Sequence, residues 1–184
     1  MQENHLPAES RKLAIATASN EKLLSVYSPV NCLRHGGKLT TIEHAMNAPA
    51  PTLGTFYREK SKDFAIGLVM GWLVYLNDIL NLNKPMTEDQ IELCAIEIVE
   101  TYYALRMSDL TFLFRKIISG AYGEFYESLT ISKVLSFFRN YFEERCTYAE
   151  LQSQRHHKDF ASRSEFNCSK NLQRIFNGSS KVSK

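Results

Sequence analysis

The sequence predicts an all-α protein, a compact bundle of about four helices with polar, flexible extensions at both ends. Three observations carry this. Apolar residues in the middle of the chain recur at the three-and-four spacing of a helix face. One of these segments opens with a capping-box pattern. No run in the core alternates apolar and polar residues as a half-buried strand does.

The elements follow in order. Residues 8–28 suit a short helix, with Asn20 as its cap ahead of Leu23, Leu24 and Tyr27. The first core helix is expected from near Arg58 to before Pro85, because proline disfavours helix in the residue preceding it. Phe64, Leu68, Trp72, Tyr75, Ile79 and Leu80 form its apolar stripe. Gly67 and Gly71 inside it are a small-xxx-small pair, which in a water-soluble chain permits close approach of a neighbouring helix.

Thr87 and Gln90 fit the capping box of a second helix, with Glu88 and Asp89 at the positive end of its dipole. Its buried stripe is Ile91, Ala95, Ile98, Tyr102 and Leu105, and Glu92, Glu97 and Glu100 give it an acidic exterior. Ser108 is the expected cap of a third helix, carrying Leu110, Leu113, Phe114 and Ile117 and ending at Gly120. A fourth begins after Thr130 with Val134, Leu135, Phe138, Tyr141 and Phe142, and its polar continuation extends past Arg155.

The chain has 184 residues, 44% of them hydrophobic and 23% charged, which suits one domain with tails. The net charge of +2 excludes a strongly basic nucleic-acid coat protein. Its distribution divides the chain into an arm (1–50), a helical core (51–148) and a basic polar tail (149–184). The four cysteines, Cys32, Cys94, Cys146 and Cys168, include no C-x-x-C pair and are too sparse for a disulfide framework. The first residues, Met-Gln-Glu-Asn-His, do not read as a signal peptide. The longest apolar run, Phe64 to Leu76, is shorter than the roughly 20 residues that span a bilayer. A soluble, reduced, cytoplasmic protein without membrane contact is expected.

Catalytic motifs are missing. There is no G-x-S-x-G, no Walker-type phosphate loop, no H-E-x-x-H and no G-x-G-x-x-G. Gly36-Gly37-Lys38 lacks the strand-to-helix flanks of a phosphate loop and reads as a flexible connection. Of the five histidines, the adjacent His156 and His157 point about 100° apart on a helix and cannot chelate as an i, i+4 pair does. With Arg155 and Lys158 beside them they form a solvated basic patch. Glu97 with Glu100, and Glu143 with Glu144, read as a charged helix surface. No catalytic residue, cofactor or metal is expected.

The most distinctive segment runs from Asp109 to Leu129. Gly120 and Gly123 bracket a turn, and the aromatics Tyr122, Phe125 and Tyr126 follow within five residues. Arg115 and Lys116 end the preceding helix, while Arg139 and Arg145 lie on the next. Helix capping explains Gly120 and the basic last turn, and the aromatics could plug the end of the bundle. The functional alternative is a partner-binding corner made of Arg115, Lys116, Gly120, Tyr122, Gly123, Phe125, Tyr126, Arg139 and Arg145. Tyr and Arg are favoured at interaction hot spots, and aromatics among basic residues also suit single-stranded nucleic acid.

A resemblance rests on Pro51-Thr52-Leu53, the Trp72 helix ending Asn77-Asp78-Ile79-Leu80-Asn81-Leu82, and Tyr102-Tyr103-Ala104-Leu105 with Asp109-Leu110. Gly120-x-Tyr-Gly123-x-Phe-Tyr126-Glu-Ser-Leu129 and Tyr141-Phe-Glu-Glu-Arg145 complete it. Residues 50–147 resemble a family of small uncharacterised helical proteins from phages and mobile elements of gut anaerobes. The resemblance implies a mobile-element setting and supplies no catalytic residues. A helical domain with polar extensions is also similar in outline to phage helicase loaders and replisome organisers, an analogy of fold class only. The expected function is therefore a non-enzymatic adaptor for a protein partner, with a replication protein such as the helicase as the candidate. The alternatives are weak, salt-sensitive DNA binding through the basic tail, and an enzyme with an unfamiliar site. A helix-turn-helix over residues 108–145 is disfavoured, since Gly120 to Leu129 is longer than such turns. Trp72 and the Gly67–Gly71 pair leave a homo-oligomer open.

Overall fold

In the computed structural model the backbone is described for residues 19–123 and 128–179, and side chains as far as Lys158, His156 excepted. The elements are α1 (19–26), α2 (Pro29–His35), a 3₁₀ turn (Gly36–Lys38), α3 (Ile42–Asn47), α4 (Leu53–Glu59), α5 (Lys62–Leu80), α6 (Glu88–Thr101), α7 (Met107–Ile118) and α8 (Ile131–Ser179). The protein is all-α. Among the described residues there are eight helices rather than four, and no strand is longer than an isolated bridge. The chain divides into two compact units, Met1–Phe142 and Glu143–Lys184.

The four longest helices are those the periodicity predicts, and α1 falls within residues 8–28, where a short helix is expected; α2, α3 and α4 are the additional ones. The expected helix starting near Arg58 is split. Ser61 adopts an extended conformation and its hydroxyl accepts from Phe64 N at 3.0 Å, which ends α4 and starts α5. Asn81, in the left-handed region at φ 45°, closes α5. By length and composition α5 could cross a membrane, yet eight of its side chains are buried in this core. Phe64, Leu68 and Trp72 face inward as the stripe requires, but Ile79 is 45% exposed, and Val69, Leu73 and Leu76 take the inner positions. Gly67 and Gly71 do not seat a neighbouring helix, since a Cβ added at either would meet nothing within 4 Å.

The capping box of α6 forms as expected, with Gln90 N donating to Thr87 Oγ1 and Thr87 N to Gln90 Oε1 at 3.0 Å. Ile91, Ala95 and Ile98 are buried within α6, but the helix ends at Thr101, so the buried Tyr102 caps it and the buried Leu105 lies beyond it, outside the helix the stripe predicts. At α7 the expectation fails. The helix begins at Met107, and its cap position is Arg106, whose amide donates to the Asp109 carboxylate at 2.8 Å. Ser108 lies inside the helix. Its buried hydroxyl donates to Ala45 O at 2.7 Å, binding α3 to α7.

Residues 19–50, placed outside the core by sequence, pack onto it in the structure. Ser19 is already helical, so Asn20 is not the cap of α1. The indole N–H of Trp72 donates to Tyr27 O at 3.1 Å, and the Tyr27 ring meets Phe56 edge-on at 5.3 Å. Ala45 is fully buried. Trp72 also contacts Phe114 in a T-shaped pair at 4.8 Å, which in turn meets Phe138 of α8. The aromatic chain thus runs from α5 through α7 to α8, the geometry in which ring edges and faces attract.

A short backbone clasp joins the segment before α4 to the segment between α6 and α7. Met107 N donates to Pro51 O at 3.0 Å, Leu53 N to Leu105 O at 2.9 Å and Gly54 N to Tyr103 O at 2.8 Å. These bonds place the start of α4 against the end of α6.

In the second unit α8 continues through the polar stretch. Thr147 Oγ1 donates to Glu143 O at 3.0 Å, and Gln152 Nε2 contacts the Tyr148 hydroxyl.

Candidate functional sites: an aromatic corner and a tyrosine cleft

The corner after α7 is built by its own backbone. Ala121 N donates to Lys116 O at 2.9 Å, Gly120 N to Ile117 O and Gly123 N to Gly120 O, both at 3.0 Å. Gly120 and Gly123 have φ of 77° and 95°, in the left-handed region where a Cβ is disfavoured. The turn returns Tyr122 over α8. Its ring stacks on Phe137, with centroids 5.7 Å apart and planes inclined by 30°.

Two lysines bracket this stack. Lys116 Nζ lies 4.7 Å from the centroid of Tyr122 and 6.0 Å from that of Phe112. Lys133 Nζ lies 5.3 Å from the centroid of Phe137. Each ammonium sits within the range where a ring face attracts a cation. The fully buried Phe137 anchors the group to the core, whereas Gly120 and Gly123 are exposed.

Arg115 is drawn into the fold. Its guanidinium donates to Leu39 O at 3.1 Å and to Leu33 O at 3.3 Å, tying the 3₁₀ turn and α2 to α7. Its place in the sequence, beside Lys116 in the last turn, does not reveal this. Arg139 is exposed on α8, and Arg145 belongs to the second unit. Phe125 and Tyr126 lie outside the described residues. The structure therefore brings together Lys116, Gly120, Tyr122 and Gly123, and adds Lys133 and Phe137, which sequence reasoning missed. Their i, i+4 spacing on one helix face was the available signal.

A second feature was also missed. The clasp leaves a cleft of about 710 Å³ between α4 and the end of α6, floored by Val99 and bordered by Tyr57, Arg58, Glu100 and Tyr103. Both tyrosines are exposed, at 43% and 62%. Arg58 Nε donates to Gly54 O at 3.2 Å, and Glu100 pairs with Lys62 at 2.5 Å. That partner holds the lysine above its ordinary pKa, through the hydrogen bond first and the charge second. Tyr57 and Tyr103 are 46 residues apart, so no local pattern joins them.

Among the described residues no three His, Cys, Asp or Glu side chains gather as a metal site needs. Burial raises the Cys32 thiol pKa, against a smaller opposing effect of a hydrogen bond with Thr111. Burial pushes Cys94 up to about 12. No family model, curated protein or solved structure matches the chain.

Proposed function

We propose that the protein is a non-enzymatic adaptor that grips a partner protein through the Gly120–Leu129 corner. The observation that supports this is the ordered pairing of Lys116 and Lys133 with the stacked rings of Tyr122 and Phe137. Side chains already held in place lose less entropy when a partner docks, so more of each contact appears as affinity. Tyr122, half-buried at the surface of this group, is of a residue type enriched at interaction hot spots. The partner class proposed is a replication protein, the replicative helicase foremost. It rests on the resemblance of residues 50–147 to phage and mobile-element proteins and on an analogy of fold class with phage helicase loaders.

The test is a nuclease-treated pull-down of the tagged chain from its native cells, compared with Lys116→Glu and Tyr122→Ala variants of verified fold. Recovery of a helicase, primase or polymerase subunit by the wild type and its loss from both variants supports the adaptor. Equal recovery by all three overturns the corner as the grip. A partner lost on nuclease treatment, with DNA present in untreated samples, favours direct DNA binding. That interaction should weaken steeply between low and physiological salt.

A further inference from the structure

We propose that the cleft between α4 and the end of α6 is a binding site for small planar aromatic anions. This inference is independent of the adaptor reading and uses none of its residues. The cleft volume of about 710 Å³ lies within the range of roughly 300–1,000 Å³ typical of small-molecule sites. Its lining has the usual composition of such sites, an apolar and aromatic surface with a few placed polar groups.

The walls are pre-formed. Three backbone hydrogen bonds, Met107 to Pro51, Leu53 to Leu105 and Gly54 to Tyr103, hold the two sides together without a ligand. Gly54 brings the two backbones into close approach at the contact. A Cβ there would stand 3.2 Å from Tyr103 O and 3.5 Å from Tyr103 Cδ2, a tight fit that would press the Tyr103 segment outward by a few tenths of an ångström. Tyr57 and Tyr103 leave large ring surfaces in water at its border. A planar ring stacked on either would remove apolar area from solvent and gain the aromatic pairing energy.

Charge selects the sign of the ligand. Glu100 is matched by Lys62, which lies outside the lining. That leaves Arg58 as the lining cation. Its Nε bond to Gly54 O orients the side chain, and its two terminal amino groups carry no hydrogen bond among the described residues. This is the fork that accepts a carboxylate or phosphate bidentately. A ring on the tyrosines with an anion on Arg58 describes both a free aromatic acid and a mononucleotide, which share the chemistry and differ in the anion.

Calorimetric titration of the full chain separates them. The probes are indole-3-acetate, adenosine monophosphate, and the neutral control indole-3-acetamide. Saturable binding of indole-3-acetate alone identifies an aromatic acid as the ligand class, and binding of the nucleotide alone identifies a nucleotide. Binding of both leaves the shared chemistry as the recognised feature. The neutral amide should bind at least about tenfold more weakly than indole-3-acetate where the latter binds, as loss of a charge-assisted hydrogen bond implies. Arg58→Gln and Tyr103→Ala should each weaken the bound probe by about tenfold while leaving the unfolding midpoint close to wild type, since both side chains are exposed. Absence of saturable binding of both anions up to ~5 mM overturns the proposal. So does binding that either variant leaves unchanged.

Discussion

The Tyr141 hydroxyl donates to Asp109 Oδ1 at 2.6 Å, and both residues are fully buried. The other carboxylate oxygen of Asp109 accepts from the Arg106 amide at 2.8 Å. One carboxylate therefore satisfies the first turn of α7 and fastens that turn to α8. Tyr141→Phe keeps the ring and removes the donor. It should cost about 1–3 kcal/mol, the usual penalty for leaving a buried polar atom short of a partner. Asp109→Ala should cost more, because it also releases the α7 cap. Urea unfolding measures both. A Tyr141→Phe midpoint equal to wild type would show that the bond contributes nothing.

The Trp72 indole plays a similar part for the N-terminal segment. Its N–H to Tyr27 O crosses 45 residues of sequence. Trp72→Phe should lose about 3 kcal/mol through the missing donor and the smaller ring. It should also speed proteolysis within residues 19–50 more than within α6. Equal acceleration in both regions would mean that Trp72 supports the core generally and does not tether that segment.

These two contacts show where sequence reading stopped. The capping box at Thr87 was legible because both partners lie within one turn. The stripe Ile91, Ala95 and Ile98 of α6 was legible because burial there follows the helical period, whereas Leu105 is buried beyond the helix by the clasp with Leu53. Ser61 was overlooked because the apolar spacing continues across it, although one serine hydroxyl suffices to begin a new helix. By sequence alone Ser108 and Arg115 have local roles, a cap and a charged last turn. Their hydroxyl and guanidinium bind carbonyls more than 60 residues away in sequence. The tyrosine cleft was invisible for the same reason, since its walls meet only through the clasp. At the corner the glycine turn, Tyr122 and the i, i+4 spacing of Lys133 and Phe137 could be read, but the stacking of Tyr122 on Phe137 depends on how α8 passes the end of α7.

The same substitution should have opposite signs at two glycines. Gly120 has a φ of 77°, so Gly120→Ala forces an L side chain into the left-handed region at a cost of about 1–2 kcal/mol. Gly67 lies inside α5 with open space around a built Cβ. Gly67→Ala should stabilise by about 0.5–1 kcal/mol, since alanine is the better helix former. Thermal unfolding of the two variants should shift the midpoint in opposite directions. A destabilised Gly67→Ala protein would indicate that this face is occupied, as in a self-associated form, and sedimentation velocity would then follow.

Thiol chemistry tests the burial of the core directly. Cys146 is exposed, Cys32 is partly buried, and Cys94 is fully buried, its pKa pushed up to about 12 by desolvation first and Glu97 second. Thiolates are the reactive form, so in a Cys168→Ser background Cys146 should label first and Cys94 only on unfolding. The pH dependence has a definite sign. In the unfolded chain the Cys94 thiol ionises near its ordinary 9.0, while the folded protein keeps the proton to about 12. Below pH 9 both states hold that proton and Cys94 adds no pH dependence. Between pH 9 and 12 the unfolded state binds fewer protons, so stability falls as pH rises. Cys94→Ala removes this contribution while leaving the other alkaline groups in place. Its stability should therefore decline less steeply than wild type across that window, even if it starts lower from the lost sulfur. Parallel curves for the two proteins above pH 9 would show that Cys94 is accessible to water in the folded state.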